Sequence, residues 1–384
     1  MEALEGDPHP ALARLRESEP VSWVPALKGW LVTSYDLAVT VMRDADSFTV
    51  DDPRFSTAQV VGASMLSLDG HDHDRHRRPF VAPFRPAAVR ERFVRAVAAE
   101  TDRLLDELEP AGRAELRRSF AGPLAAATVT RALGLDRAAV GSVLGWYDAI
   151  VSAVTEITAG GGVSPAGRAA FDELRRALLA AIEAGDERSL LATAAAERAA
   201  LTPEELTSNA AVLLFGGIET TEGMICNAAL HLLERPARLA QVQGRPELLD
   251  VAVEESLRLE PAAAVVDRYA TVDLELGGSE IMSGDLVRVS IAAANRDPAV
   301  FAAPDSFDLE RPGHRRHLAF AQGPHVCLGV HLARLEARAG LAALLQRLSG
   351  LRLDPERPSS IRGLVFRKPP ELNVVWDARA APLR

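Results

Sequence analysis

A chain of 384 residues with 48% hydrophobic content is long enough to bury a large core, and its formal charge of −10 shows no basic stripe of the kind that phosphate recognition needs, which argues against a nucleic-acid binder. Two cysteines, Cys226 and Cys327, make no disulfide framework and point to a reducing compartment. The first ten residues lack the basic flank and apolar core of a signal peptide, and no apolar run approaches the roughly 18 residues of a membrane span, so an unanchored cytoplasmic protein with no membrane partner is expected.

In chain order, the part up to about Asp69 mixes short extended pieces such as Gly29 to Thr33 with a helical stretch at Leu37 to Arg43. From His71 to about Gly350 the sequence is rich in Ala, Leu, Arg and Glu at helical spacing, with breaks at Gly160 to Pro165, Leu201 to Pro203, Pro236 and Pro261. Strands are expected at Val272 to Leu276, Leu286 to Ile291 and Leu364 to Val375. No repeat or low-complexity linker divides the chain, so one mostly helical unit with a small sheet-rich lobe is expected.

Three stretches carry candidate chemistry. Thr202-Pro203-Glu204-Glu205 has a cap residue, a first-turn proline and a capping-box glutamate, and starts a helix running to about Leu233. Its middle, Phe215-Gly216-Gly217-Ile218-Glu219-Thr220-Thr221, holds two glycines that cost about 1 kcal/mol each relative to alanine, and the Thr220 hydroxyl can bond back to the Gly216 carbonyl, helping to open the ladder. Close packing against a neighbouring helix is the simpler alternative for those glycines.

The second stretch, Phe320-Ala321-Gln322-Gly323-Pro324-His325-Val326-Cys327-Leu328-Gly329, precedes a helix expected over Val330 to Leu348. A cysteine there sits near unpaired amide groups and the positive end of a helix dipole, which favour a thiolate. In the third, Asp69 to Arg77, residues His73 and Arg77 lie four apart and share a helical face that suits a carboxylate. The alternating aspartates and the Arg77-Arg78 pair weigh against a histidine metal site.

The Phe320 to Gly329 run resembles the signature of the cytochrome P450 family, in which Phe, a small residue, Gly, His or Arg, Cys and Gly recur at this spacing. Ala321 departs from it, since Gly or Ser is commoner there. The Phe215 to Thr221 stretch is similar to the oxygen-binding groove of that family, and Glu255-Ser256-Leu257-Arg258 is similar to its Glu-x-x-Arg motif. Together with His73 and Arg77, where the family places a heme propionate, these four motifs appear in family order from His73 to Cys327 and cover most of the chain.

The resemblance implies a mainly α fold with a small β-rich lobe, a single heme-binding domain over residues 1–384, and heme b (iron protoporphyrin IX) with Cys327 as the iron ligand. It assigns His73, Arg77, Gly217, Arg268, Phe320, His325 and Gly329 to the cofactor. Thr220 and Glu219 become the catalytic alcohol and the proton-relaying acid, while Glu255, Arg258 and Arg311 support the fold. The implied activity is insertion of one oxygen atom from O2 into a mainly apolar small organic substrate, with electrons from a ferredoxin and its reductase docking near Arg75, Arg78 and Arg334.

The family lines its substrate pocket with the segments corresponding to Phe55 to Met65, Ala149 to Leu191, Leu213 to Gly217, Ala262 to Val266 and Leu364 to Phe366. Oxidative coupling without oxygen insertion would use the same motifs. A heme sensor or carrier would have no need of the Glu219-Thr220 pair.

Overall fold

The computed structural model describes residues 2–135, 140–158, 161–186, 189–196 and 201–377. The chain forms two compact units, one from Met1–Phe48, Val97–Ala121 and Thr220–Arg384, the other from Thr49–Ala96 and Gly122–Glu219. Among the described residues no helix is long and apolar enough to cross a membrane.

The first unit carries the sheets. Val21–Val24 and Gly29–Val32 form an antiparallel hairpin, Gly29–Val32 runs parallel to Leu286–Ser290, and Leu286–Ser290 pairs antiparallel with Val265–Ala270 in the register Val287 opposite Arg268. The buried side chains Val21, Val32, Val287 and Val289 meet Ala38, Val41 and Met42 of the helix Tyr35–Arg43 and Leu318 in one apolar cluster. A second sheet joins Arg113–Glu115, Asn373–Val375 and Arg352–Leu353.

Most expected elements of this unit are present, with two differences. The strand Val265–Ala270 was hidden in the sequence because its charged Asp267 and Arg268 interrupt the apolar run. The expected strand from Leu364 to Val375 shrinks to Asn373–Val375, since Gly363 has φ 114° and Pro369-Pro370 supply no amide donors. The remainder makes only isolated bridges, Ala263 with Phe366 and Arg362 with Lys368.

The second unit is helical. Gly70–Val81 contains the His73 to Arg77 motif, and Val140–Thr158 packs on Pro165–Ala184, where Gly167 allows so close an approach that an added Cβ would overlap Ala153. Ser164 caps the second of these helices by accepting from the Gly167 amide at 3.3 Å, with Pro165 at the first position. Gly160 of the expected break lies outside the described residues, as do 159–160 and 187–188 of the Ala149 to Leu191 segment.

The helix Pro203–Leu233 contributes its first part to one unit and its second part to the other. The capping box forms as expected: the Thr202 amide donates to Glu205 Oε2 at 2.8 Å, and the Glu205 amide donates to Thr202 Oγ1 at 3.2 Å. The helix is continuous through Gly216-Gly217.

Candidate active site

Residues 317–329 are held as a tight loop in the first unit. The Cys327 amide donates to the Phe320 carbonyl at 2.9 Å, the Ala321 amide to the Leu318 carbonyl at 2.8 Å, and the Leu318 amide to Asn295 Oδ1 at 2.6 Å. Gly323, at φ 73°, lies so close to the helix Tyr35–Arg43 that an added Cβ would collide with the Met42 carbonyl. Ala321 also has a left-handed backbone, φ 57°, which gives the physical reason that glycine is commoner there: an L side chain in this region costs about 1–2 kcal/mol.

Cys327 is half-buried in this loop, two residues before the Gly329 N-cap of the helix Val330–Arg347. Cys226 contrasts with it in every respect. It is fully buried in the helix Pro203–Leu233, and desolvation first, then the nearby Glu222 carboxylate, pushes its thiol well above the ordinary range. Of the two thiols, only Cys327 has the setting of a ligand.

In the same unit, Arg268 is buried on the strand Val265–Ala270 and donates to the Asp267 carbonyl at 2.8 Å, and within the loop His325 is half-buried in the turn Gly323–His325. Glu255, Arg258 and Arg311 meet as the motif implied. The Arg258 fork donates to both Glu255 oxygens at 2.8 and 2.9 Å, and Arg311 Nε donates to Glu255 Oε1 at 2.9 Å, all in the interior. Both arginines also reach backbone carbonyls between Asn295 and Ser306, so the ion pairs sit inside a hydrogen-bonded cage.

In the second unit the helix Gly70–Val81 buries His73 and His76, with Arg77 half-buried one turn beyond His73. Arg75 is not directed at a cofactor. It forks onto Glu205 at 2.7 and 3.0 Å, and these hydrogen bonds, against the smaller opposing effect of burial, hold the Glu205 carboxyl at about 2. Asn209 bonds both the His76 Nδ1 and the Met65 amide, fixing one end of the Phe55 to Met65 segment.

Glu219 is 3% exposed and accepts a hydrogen bond from the Tyr147 hydroxyl, itself buried on the helix Val140–Thr158. Sequence reasoning missed Tyr147, because no local pattern links residues 72 positions apart. From Asn209 to Leu233 every residue of the helix is buried except Leu213, Gly216, Gly217 and Thr220. Those positions fall at i, i+3, i+4 and i+7, which is one stripe of a helix, and nothing lies within 4 Å of where a Gly216 Cβ would stand. Gly216 therefore leaves a notch on that stripe one turn before a threonine next to a buried acid, whereas Gly217 packs closely on Val129, whose Cγ2 would lie 3.3 Å from an added Cβ, the close packing given as the simpler alternative.

The donor set fits a heme. Cys327 offers a half-buried thiol just ahead of a helix N-terminus, a setting that suits a thiolate ligand to heme iron. Arg268 and His325 of the first unit, and separately His73 and Arg77 of the second, carry donor groups of the kind that a carboxylate accepts from.

A family model described as Cytochrome P450 matches residues 244–375. The chain is 36% identical over 392 positions to nocardicin C N-oxygenase of Nocardia uniformis subsp. tsuyamanensis, covering 97% of each chain. It is 35% identical to cytochrome P450 monooxygenase PikC of Streptomyces venezuelae, over 91% of this chain and 85% of that one. The crystal structure of P450BioI in complex with an acyl carrier protein ligated to hexadec-9Z-enoic acid superposes with a TM-score of 0.87 at 29% identity, covering 98% of this chain and 100% of that chain.

A mainly helical scaffold with a half-buried thiol just before a helix, matched along nearly its whole length by P450 relatives and by a P450 structure, defines a heme-enzyme class. The chain belongs to the cytochrome P450 family and is a monooxygenase of that family, with the heme-iron cofactor that the family implies.

Proposed function

We propose that the whole chain, residues 1–384, works as one cytoplasmic P450 domain that holds heme b through Cys327 and hydroxylates or otherwise oxygenates a mainly apolar small organic substrate with electrons from a ferredoxin. A bound heme supplies reductive activation of dioxygen, with two electrons and two protons sending one oxygen atom to the substrate and the other to water. The observation that carries the reading is the half-buried Cys327, whose loop is braced by left-handed residues at the mouth of an 18-residue helix, against a Cys226 that burial renders inert.

The chain's own groups then have separate tasks. The helix dipole beyond Gly329 favours the Cys327 thiolate, and Phe320 offers an apolar face to a flat macrocycle. Arg268 and His325, together with His73 and Arg77, bind the cofactor carboxylates, and Gly217 and Gly329 leave room for its ring. Thr220 holds a proton at its hydroxyl in the groove, and Glu219, accepting from Tyr147, carries the next proton at its carboxylate.

Apolar residues in Leu213 to Gly217, Ala262 to Val266 and Leu364 to Phe366 support an apolar substrate. Relatives named for N-oxygenation of nocardicin C and for hydroxylation and epoxidation of mycinamicin IV support oxygenation of an elaborated organic molecule. The electron donor docks without Arg75 or Arg334, which are held by Glu205 and Glu254, so Arg78 is the exposed cation of the three first considered. In Cys327→Ser the reduced carbon-monoxide complex is expected to lose the long-wavelength Soret band of the family. Retention of that band would overturn Cys327 as the ligand.

A further inference from the structure

Glu254 is adjacent to Glu255 in sequence but serves a different group. It is buried on the helix Leu248–Leu259, and its two oxygens accept from Arg334 Nε at 2.6 Å and Nη2 at 2.7 Å. Oε2 also accepts from His317 Nε2 at 3.1 Å. The other ring nitrogen of His317 accepts from the Ala319 amide at 3.2 Å, so the tautomer with its hydrogen on Nε2 satisfies both partners. Burial by itself pushes the Glu254 carboxyl up, but the hydrogen bonds from His317 and Arg334 outweigh it and hold the group at about 2.

The two side chains that Glu254 holds both lie against the Phe320 ring. The Arg334 guanidinium carbon lies 4.7 Å from the ring centroid, within cation–π range, and the His317 ring sits at 6.0 Å with a 42° tilt. The Phe320 carbonyl in turn receives the Cys327 amide. One buried carboxylate thereby reaches the cysteine through two side chains, one aromatic ring and one backbone hydrogen bond.

We propose that Glu254 is a positioning residue for the cysteine loop: through Arg334 and His317 it fixes the Phe320 ring, and by balancing the Arg334 charge it keeps a lone cation from standing beside the Cys327 thiolate. This rests on the reading of Cys327 as the iron ligand. Glu254 and Glu255 then divide two tasks on one helical turn, Glu255 tying the segment from Asn295 to Arg311 into the core and Glu254 setting the loop that follows it.

The test uses the purified holoenzyme and two measurements: the rate at which the long-wavelength Soret band of the carbon-monoxide complex gives way to a short-wavelength form, and the reduction potential of the iron. Glu254→Gln is expected to raise that rate about tenfold and to move the potential positive, because an unbalanced Arg334 charge favours the reduced state. Glu254→Asp, which keeps the charge, should recover most of both.

In a Phe320→Leu background Glu254→Gln should add less than about a twofold further change, since the ring it acts through is gone. A wild-type rate and potential in folded Glu254→Gln, or an undiminished effect in the Phe320→Leu background, would overturn the proposal. Should Glu254→Gln not accumulate as folded protein, Arg334→Lys carries the test, because it keeps the charge and loses the fork. A several-fold faster conversion is expected there, and a wild-type rate overturns the proposal. Loss of the Soret band in Cys327→Ser beside an unaffected Glu254→Gln would end this inference alone, whereas retention in Cys327→Ser would end the ligand reading itself.

Discussion

The cysteine loop and the groove of the long helix are both built around glycine, and for opposite physical reasons. In the loop, Gly323 is required because the backbone is left-handed and a neighbouring helix presses against it, with the Met42 carbonyl where a Cβ would stand. In the groove, Gly216 has an ordinary helical backbone and open space beside it, so the missing side chain makes room and relieves no strain. The loop's shape is imposed by partners distant in sequence, namely Met42, Asn295, Glu254 and Arg334. The groove follows from helical periodicity alone.

The same substitution made in both regions separates these roles. Gly323→Ala is expected to destabilise the fold by at least about 2 kcal/mol, from the left-handed backbone and the collision together, with loss of heme from the purified protein. Chemical denaturation read by far-ultraviolet circular dichroism measures it, and a neutral result would show that the loop yields more easily than its contacts indicate.

Gly216→Ala should act in the other direction on stability. Replacing a helical glycine in open space gains about 0.5–1 kcal/mol, while the added methyl narrows the groove and weakens the spectral response to bulky substrates. If it destabilised instead, Gly216 would be a packing glycine and the groove would lose its rationale.

Thr220→Ala has the smallest expected effect on folding, within about 0.5 kcal/mol, because one partly exposed hydroxyl beside two glycines contributes little to the core. Its signature lies in the chemistry. Consumption of reducing equivalents should continue while product per NADPH falls and hydrogen peroxide rises, and unchanged coupling on the true substrate would make the hydroxyl dispensable.

Much of this was legible before any fold was known, and the particular residues show why. The capping box at Thr202 and Glu205, the helix starting after Gly329, and the shared face of His73 and Arg77 depend on spacings of three or four residues, which a helix converts directly into proximity. Glu219 and Thr220 are legible for a different reason, as a carboxylate adjacent to a hydroxyl beside paired glycines. The role of Ala321 was half legible: its departure from the family pattern was visible, whereas the left-handed backbone that explains the pattern was not.

The amino-acid sequence by itself determined the helices, the family, the candidate ligand cysteine and the order of the motifs, since each is written in contiguous residues. Only the tertiary structure decided which charges are engaged. Arg75 and Arg334 read as exposed docking cations until the fold brings Glu205 and Glu254 against them, and Tyr147 reads as an ordinary core aromatic until its helix places the hydroxyl on Glu219. Side chains 72, 80 and 130 positions apart meet through packing of whole elements, and no local spacing encodes that meeting.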